Sequence, residues 1–160
     1  MTQSLSVDEL MQMVGNAQQA ENSIAALLAT LQEDDEEKSS FVGDVLREVE
    51  SIQMQQAGML QEYCLHATAP IAAWACQLVP RLQLETEQDI EAADSALTAA
   101  LETHLSVGVR QQAAKSLGRL AERSGRLSTA ARSALQSATQ SGDPRLSRLA
   151  TRTLEMQKAA

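Results

Sequence analysis

An all-α fold of stacked helical hairpins is what this sequence predicts, on three observations. Ala, Leu, Gln, Glu and Arg dominate a 160-residue chain with only three prolines and seven glycines, and these five are good helix formers. No stretch alternates apolar and polar residues for long enough to make a strand. A nine-residue phrase recurs at a nearly fixed interval. Val109-Arg110-Gln111-Gln112-Ala113-Ala114-Lys115-Ser116-Leu117 returns as Leu146-Ser147-Arg148-Leu149-Ala150-Thr151-Arg152-Thr153-Leu154, 37 positions later, and a fainter copy, Ile71 to Val79, lies 38 positions earlier. Each copy places an aliphatic residue, an Ala at +4 and a Leu or Val at +8 on one helix face. The Ala lets a neighbouring helix come close, and a period of this length is the signature of helix pairs laid side by side.

The elements follow in order. Ser6 with Glu9 has capping-box spacing, and Leu10, Val14, Ala17, Ile24, Leu27, Leu28 and Leu31 keep one stripe. The spacing predicts one helix over about 7–32, with Gly15 tolerated at roughly 1 kcal/mol. The acidic run Glu33 to Glu37 forms a solvated turn and opens the next helix, where carboxylates suit the N-terminus. Val42, Val45, Leu46, Val49 and Ile52 make a second stripe, which Met59, Leu60 and Tyr63 continue. Residues 38–65 therefore form either one long helix or two meeting near Gly58. Ala69-Pro70 is a break, because a residue before Pro avoids the helical region, and Pro70 suits the first position of a helix over 70–79.

Thr86 begins a helix over about 87–104 that carries Ile90, Ala93, Leu97, Ala100, Leu101 and, at its margin, Leu105. Its partner at +3 is Asp89, whose side chain is shorter than the Glu or Gln of a capping box. The best copy of the phrase lies in a helix over 108–122, closed by Ser124-Gly125, with Gly beyond the end for a left-handed cap. Ser128 caps a helix through about 139. Asp143 and Pro144 open the last helix, 144–157.

Length and composition give a single all-helical domain over 1–160, with acidic N-terminal helices over 1–66 and the repeating hairpins over 67–160. The net charge of −8 hides a strong polarity. Residues 1–66 carry −10, residues 67–105 carry −5, and residues 106–160 carry +7. No run of about 18 apolar residues is present, so no membrane span is expected, and the N-terminus lacks the pattern of a secretory signal. Cys64 and Cys76 read as reduced, buried thiols, and the expected location is cytoplasmic.

At Asp143-Pro144-Arg145-Leu146 with Ala150 and Leu154, and at Val109-Arg110 with Ala113, Ala114, Leu117 and Gly118, the chain resembles a HEAT-like repeat. In that family the inner helix often opens with Asp-Pro-x-Val-Arg and continues with paired Ala and then Leu-Gly. The best repeat here has Ser106-Val107 where the family has Asp-Pro. The last has Leu-Ser in place of Val-Arg, and the copy at 71–79 lacks both the Asp and the Arg. The resemblance spans roughly residues 55–160. It implies a short right-handed α-α superhelix of antiparallel helical hairpins, with the phrase-bearing helices on the inner side. Members of this family are mostly scaffolds and adaptors. A minority act on nucleic acid, such as alkylpurine DNA glycosylases, and a related lyase group handles bilin attachment; no residue here matches either activity.

Chemistry-bearing motifs are sparse. Cys64, His66, Cys76 and His104 are the sole soft-ligand set, but their spacing is poor for zinc, since residues two apart on a helix do not face one another. The same residues lack the Gly-rich oxyanion turn that a Cys–His nucleophile would need. Glu48 with Glu62, and Asp89 with Glu91 and Asp94, read as solvated helix faces. No phosphate-binding loop, dinucleotide fingerprint or metalloprotease motif occurs. No catalytic residue, metal site or cofactor is expected.

The basic C-terminal third is the better lead. Arg145, Arg148 and Arg152 share a face of the last helix, and Arg119, Arg123 and Arg126 lie at the end of the preceding inner helix and the turn after it. The expectation is a non-enzymatic interaction or scaffold module that binds a protein or peptide, an acidic one on charge grounds, through Arg110, Lys115, Arg119, Arg148 and Arg152. A second reading uses the same arginines as phosphate contacts of a nucleic-acid-binding domain. The overall acidity and the lack of an aromatic residue in the strip argue against that reading. A third is a structural bundle that forms homo-oligomers, steered by the acidic and basic ends.

Overall fold

In a computed structural model that describes residues 6–13 and 23–159, every regular element is helical. Nine α-helices lie among these residues: α1 (Val7–Met13), α2 (Ile24–Thr30), α3 (Glu36–Glu48), α4 (Ala57–Tyr63), α5 (Ala69–Leu78), α6 (Glu87–Thr103), α7 (Val107–Ser124), α8 (Thr129–Ala138) and α9 (Pro144–Ala159). None is long and apolar enough to cross a membrane. The chain divides into two compact units, Met1–Ile52 and Gln53–Ala160.

In the first unit, the Ser6 hydroxyl accepts the Glu9 N–H at 3.2 Å and donates to the Glu9 carboxylate, so the anticipated cap opens α1. The single helix expected over 7–32 is not continuous. Part of it (14–22) lies outside the described residues, and Ser23 is a turn from which α2 starts afresh. Ser competes for backbone hydrogen bonds and favours such ends. Asp35 accepts from the Lys38 N–H at 3.1 Å and caps α3, which opens within the acidic run as its charges favour. Ile24, Leu27 and Leu28 on α2, and Val42 and Leu46 on α3, are fully buried.

The second stripe is broken well before Gly58. α3 stops at Glu48, Val49 is extended, and a short 3-10 turn over Met54–Gln56 leads into α4. Gly58 sits inside the first turn of α4. The second unit is then three consecutive helical pairs: α4 with α5, α6 with α7, and α8 with α9. Helix α7 packs against both α5 and α9, and α6 packs against both α4 and α8. The three phrase-bearing helices are therefore spatial neighbours in chain order. Ala75, Ala113 and Ala150, the +4 residues of the three copies, are all completely buried.

Caps set the limits of these helices. Thr86 and Asp89 form a full capping box: the Thr86 hydroxyl accepts the Asp89 N–H at 3.1 Å, and the Asp89 carboxylate accepts from the Thr86 N–H at 3.2 Å. Asp89 therefore does reach back, although it is one methylene shorter than Glu. Gly125 closes α7 with φ of 80°, a left-handed conformation that Gly adopts without a Cβ penalty. Ser128 accepts from the Ala131 N–H at 2.9 Å, and Asp143 from the Leu146 N–H at 2.7 Å. Leu105, at the turn between α6 and α7, points wholly to solvent instead of joining the core stripe.

Candidate functional site

The phrase-bearing helices α5, α7 and α9 share a register that extends past the phrase. Their N-cap positions are Thr68, Ser106 and Asp143, and two residues before each stands His66, His104 or Ser141. The three preceding side chains do the same job. His66 Nδ1 accepts the Thr68 N–H at 3.0 Å, His104 Nδ1 accepts the Ser106 N–H at 3.0 Å, and Ser141 Oγ accepts the Asp143 N–H at 3.1 Å. Because Nδ1 of His104 accepts, its proton resides on Nε2, which meets the His66 carbonyl at 2.8 Å. The histidines thus tie one turn to the next. Gln111 on α7 extends the series by donating to the Asp143 carboxylate at 2.8 Å.

Side chains also bind the pairs at the other end. Arg123, at the end of α7, donates to the carbonyls of Pro80 and, at 2.8 Å, Leu82 in the turn after α5. Arg126 pairs with Glu87 on α6 at 2.9 Å. Both arginines thereby leave the basic strip that sequence spacing assembled. On α6, Asp94 is only 6% exposed, so it is not part of a solvated carboxylate face. Its carboxylate accepts from the Ser128 hydroxyl at 2.5 Å and the Ser128 N–H at 3.2 Å, joining α6 to the start of α8.

Three of the expected partner-binding residues come together. Lys115 and Arg119 on α7 and Arg152 on α9 line one groove of about 240 Å³, with Leu149, Met156 and Glu122. All three cations are exposed, and none makes an ion pair or side-chain hydrogen bond among the described residues. The groove floor is formed where α9 meets Gly118: a Cβ there would lie 3.2 Å from Thr153 Oγ1, so only Gly permits this approach without a shift. Arg119 also faces Arg81, beyond α5; burial, and then this like charge, pull the Arg81 guanidinium below its usual value.

Arg148 is exposed on α9, its Nε donating to the Pro144 carbonyl at 3.3 Å one turn back. Arg110 stands apart. It is half-buried, its Nε donates to the Leu101 carbonyl at 2.9 Å, and it lines a different hollow with Glu102, Ser133 and Ser137. Cys64 and Cys76 are fully buried and not disulfide-bonded. A hydrogen bond with Cys76, followed by burial, pushes the Cys64 thiol pKa upward. Among the described residues no group of three His, Cys, Asp or Glu side chains is placed to hold a metal ion.

Sequence reasoning passed over the groove's apolar half and the His ladder. The signal for the ladder was present: His66 and His104 are 38 residues apart, each two positions before a hydroxyl residue. No protein-family model, curated protein or solved structure matches the chain.

Proposed function

We propose that this chain is a non-enzymatic protein-interaction module whose second unit is a short HEAT-like superhelix, with α5, α7 and α9 as its inner, partner-facing row. One observation carries the reading: two adjacent inner helices bring Lys115, Arg119 and Arg152 around a single groove, and none of the three makes an ion pair or side-chain hydrogen bond among the described residues. Cations in a folded chain this acidic have many carboxylates available to them. Those that stay unpaired beside an apolar strip suit an external partner, through electrostatic steering and apolar burial together. Glu122 in the same groove, and the lack of an aromatic ring among its lining residues, weigh against a nucleic-acid backbone as that partner.

The test is site-specific photo-crosslinking in the native host. A photoreactive residue at Lys115 or Arg152 should yield discrete conjugates with a partner protein. The same residue at Arg132 or Gln136, exposed on α8, should not. Equal labelling from both rows would end the inner-row assignment.

A further inference from the structure

We infer that the groove between α7 and α9 takes an acidic helical segment of a partner protein, seated by one apolar side chain between two carboxylates; this deepens, and rests on, the interaction-module reading above. The groove has two chemical halves. Leu149 and Met156 supply apolar surface, and Met156 is 38% exposed although it is a large apolar side chain. An exposed apolar strip edged by charge marks a contact surface, and Met adapts to varied partners. The volume of about 240 Å³ suits one inserted side chain rather than a whole ligand helix.

The charged half sets the spacing. Lys115 and Arg119 are one helical turn apart on α7, roughly 6 Å along the axis, and Arg152 faces them from α9. Lys115 and Arg152 occupy equivalent positions of their repeats, 37 residues apart, so both project from the same level of adjacent helices. Two carboxylates one turn apart on a ligand helix match this arrangement, with the apolar anchor on the same face. Glu122 lies one turn beyond Arg119 and repels a third carboxylate there. The site is therefore polar along its length: it favours acids at the Lys115 end and disfavours a continuous polyanion.

The experiment uses the full chain and a labelled, capped helical peptide of roughly 15 residues with Glu, Leu and Glu at i, i+3 and i+4. Binding is followed by fluorescence anisotropy at low and moderate salt. We expect saturable binding that weakens as salt rises. Lys115→Glu and Arg152→Glu should each weaken it by at least three- to fivefold, and Arg132→Glu on α8 should leave it unchanged. Replacing the peptide Leu with Ser should weaken it as well. Unchanged melting of the variants confirms that these exposed substitutions leave the fold intact.

Affinity indifferent to Lys115→Glu and Arg152→Glu overturns the inference. So does tighter binding of a DNA duplex of equal charge, which would make the site a phosphate site. Self-association of the chain that is abolished by the same two variants overturns it too, since the occupant would be a second copy. Should the peptide fail while crosslinking from Lys115 still captures a partner, the acidic-helix inference falls and the interaction-module reading survives.

Discussion

Replacing Asp94 with Ala should unlatch α6 from α8. The carboxylate is buried and accepts two hydrogen bonds from a single residue, Ser128, whose hydroxyl in turn caps α8 by accepting the Ala131 N–H. Thr98 adds a longer contact at 3.4 Å. The 2.5 Å bond from the Ser128 hydroxyl fixes its rotor, so that an oxygen lone pair faces the helix. Hydrogen bonds to a charged group contribute about 1.5–3 kcal/mol net, and leaving the Ser128 N–H without its partner adds to the loss. The expected cost of Asp94→Ala is therefore about 2–3 kcal/mol. Ser128→Ala removes the cap, worth about 1 kcal/mol, and the shortest of the carboxylate's bonds, leaving the backbone N–H and the Thr98 hydroxyl as its donors, so it should cost a similar amount. The double variant should cost clearly less than the sum, with a coupling of at least about 1 kcal/mol. Urea denaturation of the four species at neutral pH measures this cycle. A loss below about 0.5 kcal/mol for Asp94→Ala, or strictly additive variants, would show that Asp94 does not latch α6 to α8.

Other outcomes follow from the same packing. Gly58, exposed near the start of α4 with no atom within 4 Å of its would-be Cβ, should gain about 0.5–1 kcal/mol on replacement by Ala, because the helix loses the entropic cost of Gly. Gly118→Val should instead cost about 1–3 kcal/mol by driving α7 from Thr153; chemical denaturation separates the two signs. Asp143 is held below the usual carboxylate range by the Leu146 N–H, then by the Gln111 amide, with Arg145 and Arg110 adding to the effect. Its contribution to stability is full above the unfolded value of about 4 and is lost as pH falls through the lower folded value. Asp143→Asn should therefore lower stability at neutral and basic pH without changing the slope there, and flatten part of the acid limb of the stability curve. Finally, neither Cys64 nor Cys76 should react with a bulky thiol reagent until the chain unfolds; rapid labelling of the native protein would contradict their burial.

The helices of the second unit were readable because their ends are chemically marked. Ser106, Ser128, Asp143-Pro144 and Gly125 each sit where cap chemistry puts them, and the boundaries fall within two residues of expectation. Periodicity alone served less well. The stripe from Leu10 to Leu31 keeps phase, yet Ser23 is a turn; a stripe records which face is buried and does not register a local break that preserves phase. Likewise Val49 and Ile52 are buried from extended backbone beyond α3, so burial outlasted the helix.

Charge was the least legible property. Spacing put Arg145, Arg148 and Arg152 on one face and Arg119, Arg123 and Arg126 at a helix end and the turn after it, but could not say which cations the fold would use internally. Arg123 is taken by backbone carbonyls, Arg126 by Glu87, and Arg110 by the Leu101 carbonyl. A guanidinium has five donors, and its long stem can reach the orphan carbonyls at a helix end. Lys115, Arg119 and Arg152 sit mid-helix, away from the orphan carbonyls at the helix ends. Candidate binding cations in a helical repeat are thus better sought in mid-helix than at its ends.

The capping series also bears on why the last two pairs carry the clearest repeat. The Thr68 side chain makes no cap bond to α5, Ser106 accepts from Val109 at 3.4 Å, and Asp143 accepts from Leu146 at 2.7 Å. Cap quality therefore rises along the chain, and the faintest copy of the phrase, on α5, is also the one with no side-chain cap. In a stack of pairs, each interface adds to the stability of its neighbours, so a weakly capped helix such as α5 depends most on what covers it. Helix α7 covers α5, its Arg123 closing over the Leu82 carbonyl and its preceding residue, His104, reaching the His66 carbonyl. A His104→Ala substitution should therefore loosen α5 more than α7, although His104 belongs to the α6–α7 turn. Amide hydrogen exchange would read this directly. Faster exchange confined to α7, with α5 unaffected, would mean that the ladder decorates the stack without supporting it.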